Sequence, residues 1–236
     1  MRLSPADWTK ITPYLLEEDL VPTQADMVVA VQAGEIEKIK SYLREDPSLA
    51  RARDSTGVSA RMQALYRRRQ DIAALLCAGG DLDIFEATAL GEPDRVSEIL
   101  QQDGNMAKSW SADGFTPLHF AAFFNRPEIA RDLIRHGADV AAVANNPMKV
   151  TPLHSAAAAH SREIVRLLVE NGAPTNIQQE GGWTPLHEAA QIGDHEMAGA
   201  LLEYGADPQL RSNNGKTAID IAEEKGHREI VKLLSA

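Results

Sequence analysis

The chain has 236 residues, 44% of them hydrophobic and 25% charged, with a formal net charge of −10. That acidity disfavours phosphate backbones as partners, and Arg67-Arg68-Arg69 reads as a solvated helix end rather than a nucleic-acid site. A single cysteine, Cys77, excludes an intrachain disulfide and fits a reducing compartment. Residues 1–10 carry Arg2, Asp7 and Lys10 with no apolar run, and no stretch is long enough to span a bilayer, so the expectation is a soluble cytoplasmic protein.

In chain order, Ser4-Pro5 and Thr12-Pro13 are helix-start signals, because a hydroxyl caps free amides and a first-turn proline wastes no donor. They predict short helices over Pro5 to Ile11 and Pro13 to Leu20, with Trp8, Ile11, Tyr14, Leu15 and Leu16 on an apolar side. Residues 1–24 are therefore read as an N-terminal helical cap. A helix pair follows, Met27 to Ala33 and Ile36 to Leu43, separated by Gly34 and ended by Asp46-Pro47. The next pair starts at Ser59-Ala60-Arg61-Met62, and its second helix, Asp71 to Ala78, stops at Gly79-Gly80. Ile84-Phe85-Glu86-Ala87 aligns with Leu186-His187-Glu188-Ala189, which puts Leu82 where Thr184 stands. That is 23 residues after Ser59, so about ten residues of connection are missing and a gap is expected at residues 79–83. A helix from Pro93 to Gln101 completes the third pair.

The remainder is regular. Thr116-Pro117-Leu118-His119 returns at Thr151 and Thr184, and more weakly as Thr217-Ala218-Ile219-Asp220, in steps of 35, 33 and 33 residues. A fixed period in that range denotes a stacked repeat. Threonine caps an inner helix, proline takes its first turn, leucine enters the core, and the alanine pairs let neighbouring helices approach closely. The outer helices carry Glu128 to Ala130, Glu163 to Val165 and Glu196 to Ala198, each ending in Gly-Ala at Gly137, Gly172 and Gly205. Seven repeats are drawn at 25–58, 59–81 (truncated), 82–110, 111–145, 146–178, 179–211 and 212–236. Glu223 in the last replaces a small alanine, as expected of a terminal cap. Between repeats four and five, Met148-Lys149-Val150 replaces Asp113-Gly114-Phe115 in a connection two residues longer. Val140 to Lys149 is thus expected to protrude, turning at Asn145-Asn146-Pro147.

His119, His154 and His187 recur once per layer. Layers about 10 Å apart cannot bring three nitrogens to within about 2.1 Å of one metal, so the expected role is structural. No Gly-rich phosphate loop with lysine, Cys-x-x-Cys, His-Glu-x-x-His or Gly-x-Ser-x-Gly is present, and no metal, cofactor or catalytic set is expected. Cys77 reads as an isolated thiol.

The period and the Thr-Pro-Leu-His core resemble the ankyrin repeat over residues 25–236, most strongly over 111–236. The resemblance implies an all-α solenoid of paired antiparallel helices with projecting β-hairpin loops, and histidines that tie hairpin to helix. It also implies that a protein partner binds on the concave face, to a chain that works as a monomer. The positions implied are the finger tips (Phe115, Trp183), the residues four and five after the motif histidine (Tyr66, Arg67, Phe123, Phe124, Gln191, Ile192) and the residue before the helix-ending glycine (His136, Tyr204). Aromatic residues make up only 5% of the chain, yet six map to this face, and interface hot spots favour such side chains. The expected function is a non-enzymatic protein-interaction module. Two alternatives stand beside it: a regulatory subunit or enzyme with its chemistry in the irregular N-terminal third, and a secreted effector of bacterial type.

Overall fold

A computed structural model describes residues 21–77 and 81–235. The two helices expected within residues 1–24, and Gly79-Gly80, lie outside the described residues. The chain divides into two compact units, one of Met1–Ser55 with Ser59–Gly80, the other of Thr56–Val58 with Asp81–Ala236.

In the first unit, α1 (Gln24–Ala33) opens on a reciprocal cap: Thr23 Oγ1 accepts from Asp26 N–H and Asp26 Oδ2 accepts from Thr23 N–H. It closes at Gly34, whose φ of +75° few other residues tolerate. After α2 (Ile36–Glu45), Asp46 caps a 3₁₀ turn, Pro47–Arg51, through Ser48 N–H at 2.8 Å. α3 (Ala60–Tyr66) starts from Ser59 and is buried from Ala60 to Leu65; α4 (Gln70–Cys77) packs along it. Arg61, 1% exposed, donates Nε–H to Leu76 C=O at 3.0 Å across this pair.

The second unit holds five helix pairs: α5 (Ile84–Leu90) and α6 (Pro93–Gln102), α7 (Pro117–Phe123) and α8 (Pro127–Arg135), α9 (Pro152–Ala158) and α10 (Arg162–Glu170), α11 (Pro185–Ile192) and α12 (His195–Glu203), α13 (Ala218–Lys225) and α14 (Arg228–Leu234). Inner helices α5, α7, α9, α11 and α13 pack in succession, and so do the outer helices. Leu118, Leu153 and Leu186 lie at the core, each at most 1% exposed, and burying such a side chain contributes about 1.5–3 kcal/mol. Ala121-Ala122, Ala156-Ala157 and Ala189-Ala190 are fully buried between inner helices, so close approach is what their small size provides.

Two local features depart from the sequence reading. The first is the start of the third pair. Ile84 and Ala87 take the core positions of Leu186 and Ala189, but the capping residue is Asp83 rather than Leu82. Asp83 accepts from Glu86 N–H at 2.8 Å and Glu86 accepts in return, so the inner helix begins one residue later than the alignment implies. The second is a 3₁₀ turn over Gly104–Lys108, capped by Asp103 as its counterpart is by Asp46.

The fingers are hydrogen-bonded turns; the isolated bridge Arg53 to Ser59 is the strand pairing seen among the described residues. Ser111 N–H donates to Phe115 C=O, Gln179 to Trp183, and Ser212 to Lys216. In the longer finger Ala144 donates to Val150. Neighbouring fingers are stapled: Asn145 N–H to Gly114 C=O (2.8 Å), Glu180 N–H to Met148 C=O (3.1 Å), Asn213 N–H to Gly181 C=O (3.0 Å). The long finger is thus held on both sides, with Met148 exposed at its tip.

Candidate functional site

Inner helices α7, α9 and α11 each carry a threonine cap and a histidine three residues on, and the backbone explains the pairing. Thr116 N–H donates to His119 Nδ1 at 3.2 Å, with the Thr116 hydroxyl 2.8 Å from the same nitrogen. His119 Nε2 lies 3.1 Å from Val150 C=O, an acceptor only, so the proton is on Nε2 and Nδ1 accepts. His154 repeats this between Thr151 and Trp183 C=O, and His187 between Thr184 and Lys216 C=O. Every ring therefore links its own helix start to the following finger. Burial pushes His119 down to about 4 and lowers His154 and His187 as well, because each site desolvates the imidazolium. The rings are held neutral and committed to these bonds. Among the described residues no three His, Cys, Asp or Glu gather as metal ligands.

On the same unit a chain of rings runs out of the core. Phe120, 3% exposed, meets Phe85 edge-on at 5.9 Å and Phe115 edge-on at 5.7 Å. It stacks on Phe124 one turn further, at 6.5 Å, and Phe124 meets Phe123 at 5.1 Å in a T. The chain ends at Phe123, 48% exposed. Trp110, 47% exposed, lies 6.5 Å from the His119 ring, and Phe115 lies 5.7 Å from it. Aromatic pairs in these geometries contribute about 0.5–1.5 kcal/mol beyond area burial, which fixes the exposed end on a rigid base.

The ten positions singled out by sequence fall in five places. Phe115, Phe123 and Phe124 join the ring chain. Trp183 is half-buried, packs on the core and lies 5.9 Å from the His187 ring, while its carbonyl receives His154. Gln191 and Ile192 end α11; Ile192 also packs on the core, and Gln191 C=O lies 3.3 Å from His227 Nε2. His136 and Tyr204 cap outer helices α8 and α12, not inner ones. His136 Nδ1 bonds Asp132 C=O at 2.9 Å, and Tyr204 lines an open cleft with Pro174 and Thr175. Tyr66 and Arg67 end α3 of the first unit, both exposed.

Phe85 and Phe120 belong to the ring chain and Trp110 lies beside it against the His119 ring; none of the three was among the sequence candidates. The signal available was helical spacing: Phe120 stands four residues before Phe124, on the same face of α7.

With the geometry in place, comparison against protein-family models matches one described as ankyrin repeats (3 copies), at residues 27–144, 84–179 and 153–236.

Proposed function

Since this chain belongs to the ankyrin repeat family, whose repeats serve generally as protein-interaction modules, we propose that it is a non-enzymatic binding module. It takes a protein partner on the inner-helix face of the second unit, works as a monomer, and acts in the cytoplasm, where its single cysteine stays reduced. The observation that carries this reading is the ring chain from Phe85 through Phe120 and Phe124 to the exposed Phe123. The repeat requires no aromatic side chain at the Phe123 position: Ala158 occupies the same place on α9. A large, rigid, half-exposed ring with a buried base is the type of residue on which binding energy concentrates.

The test is Phe123→Ala, with quantitative affinity capture and a thermal melt run in parallel. The melt is expected to stay cooperative and to fall by about 1–6 °C, because the lost Phe123–Phe124 contact is worth about 0.5–1.5 kcal/mol. The captured proteins are expected to fall at least tenfold, the loss that a hot-spot ring produces. Equal capture by both proteins would sink the assignment. Trp183 makes a poor companion mutant, because its ring packs on the core and truncation would confound binding with folding.

A further inference from the structure

The chain contains two Asn-Gly pairs, Asn171-Gly172 and Asn214-Gly215, and the fold holds them differently. Such a pair carries a reaction of its own. The glycine nitrogen, uncrowded by a Cβ on its own residue, attacks the asparagine Cγ. The Cγ–Nδ2 bond breaks, the amide leaves as ammonia with the proton of the attacking nitrogen, and a five-membered cyclic imide remains. Water then opens the imide at either carbonyl. Cleavage of the bond to Cγ gives aspartate. Cleavage of the bond to the main-chain carbonyl carbon gives isoaspartate, with the chain rerouted through Cβ and Cγ. Water is the other reactant, so the rate is decided by whether the side chain reaches the next nitrogen.

Asn171 is held back. It caps α10, and its Nδ2–H donates to Leu167 C=O at 2.8 Å, one turn earlier, which draws Cγ away from Gly172. The Gly172 nitrogen is committed as well, donating to Val169 C=O at 3.0 Å. Attack there needs both bonds and the helix end to open.

Asn214 stands at the tip of the finger before α13, exposed together with Gly215. Its Nδ2, the leaving group, finds no hydrogen-bond partner among the described residues. The Ser212 hydroxyl donates to Asn214 Oδ1 at 2.8 Å, sharing its proton with Lys216 C=O at 2.9 Å, and so polarises the carbonyl that is attacked. The space around the attacking residue is open, since a Cβ added at Gly215 would meet nothing within 4 Å. One turn bond, Gly215 N–H to Ser212 C=O at 2.8 Å, must open for the nitrogen to react, and exposed loop tips open locally at little cost. The aspartyl product already has a counterpart in the fold. Asp113 holds the same position before Gly114, with the Ser111 hydroxyl donating to its carboxylate.

We propose that Asn214 is a site of spontaneous deamidation in the folded protein, that the fold protects Asn171 from the same reaction, and that the isoaspartyl product unlatches the finger. Aspartate is accommodated there as Asp113 is. Isoaspartate adds one carbon to the main chain inside the turn. On either side of that carbon, Asn213 N–H donates to Gly181 C=O at 3.0 Å and His187 Nε2–H donates to Lys216 C=O at 3.1 Å. Both bonds depend on the present backbone spacing.

The experiment ages the full chain at mildly alkaline pH, folded and in urea. Both pairs are followed by mass spectrometry of proteolytic peptides, with isoaspartyl methyltransferase marking the isoaspartate. In urea the two pairs should convert at similar rates. Folding should slow Asn171 at least about tenfold and leave Asn214 within about threefold of its unfolded rate. Gly215→Ala has room for its methyl group, so it should fold, and it should convert about tenfold more slowly at Asn214 because a side chain on the attacking residue crowds the approach. The isoaspartyl form, separated by ion exchange, should melt below unaged protein, whereas Asn214→Asp should melt with unaged protein. Equal slowing of both pairs on folding, or conversion of Gly215→Ala at the wild-type rate, would overturn the site. An isoaspartyl form that melts with unaged protein would overturn the unlatching. If Asn214→Asp melts as low as the isoaspartyl form, the added charge and not the rerouted chain loosens the finger, and the unlatching fails.

Discussion

At the scale of single residues, the turn between inner and outer helix shows the cost of a local choice. Gly34, Gly91, Gly193 and Gly226 stand there with φ between +75° and +86°. Asn125, Arg68 and His160 adopt the same left-handed backbone, at 53°, 56° and 58°. Asparagine tolerates it, but an imidazole side chain costs about 1–2 kcal/mol there. The His160 ring is exposed and makes no hydrogen bond among the described residues. His160→Gly is therefore expected to stabilise the protein by about 1 kcal/mol, a rise of roughly 2–4 °C in the melting midpoint. A lower midpoint would mean that the ring contributes more than its backbone strain removes. The threonine and histidine roles were legible in sequence at this scale because the period repeats them.

At the scale of elements, the fingers set a sharper limit than the helices. A Cβ added at Gly114 would sit 2.4 Å from Asn145 O, the backbone of the next finger, whereas a Cβ at Gly215 meets nothing within 4 Å. Both glycines have positive φ, +82° and +79°, so the same backbone strain applies to each. Gly215→Ala is expected to cost about 1 kcal/mol, the conformational share alone. Gly114→Ala should cost at least about 2 kcal/mol more, because the staple between fingers must open to admit the methyl group. Urea midpoints of the two variants check this, and equal losses would remove the staple as a source of stability. Over the described residues the helix pairs come in the order read from sequence, since caps, prolines and terminal glycines are local signals. The shifted start at Asp83, the two Asp-capped 3₁₀ turns and the finger staples were not read. The first needed a choice between core register and capping register, and the others depend on side chain-to-backbone bonds that leave no period. The ring chain was half legible: Phe123 and Phe124 stood out in the sequence, while nothing there singled out Phe120 or Phe85.

At the scale of the molecule, the two units differ in how their inner helices are capped, and acid should expose that difference. In the second unit His119, His154 and His187 are each held neutral below their ordinary pKa of 6.5, His119 down to about 4. The folded state then binds fewer protons than the unfolded chain between about pH 6.5 and 4, so stability is fully present above pH 6.5 and falls as pH drops through that window. His119 alone accounts for about 3 kcal/mol when the full shift is spent, since one pKa unit is about 1.4 kcal/mol. Glu188 offsets part of this, because its raised carboxyl binds a proton more readily in the fold than in the unfolded chain. The first unit has no histidine at these positions. Asp26 closes its cap on Thr23 and is held below the usual carboxylate range by that hydrogen bond, so its contribution persists until pH falls below about 4. Acidification from pH 7 to 4.5 should therefore weaken the second unit first. Pulse-labelled hydrogen exchange is expected to show α7, α9 and α11 losing protection while α1 and α3 keep theirs. In His119→Gln, stability should start lower at pH 7 but decline less on the way to 4.5, because the amide retains a donor and an acceptor without titrating. If protection is lost in both units at the same pH, or if the His119→Gln slope equals that of wild type, then the neutral rings are not what acid attacks.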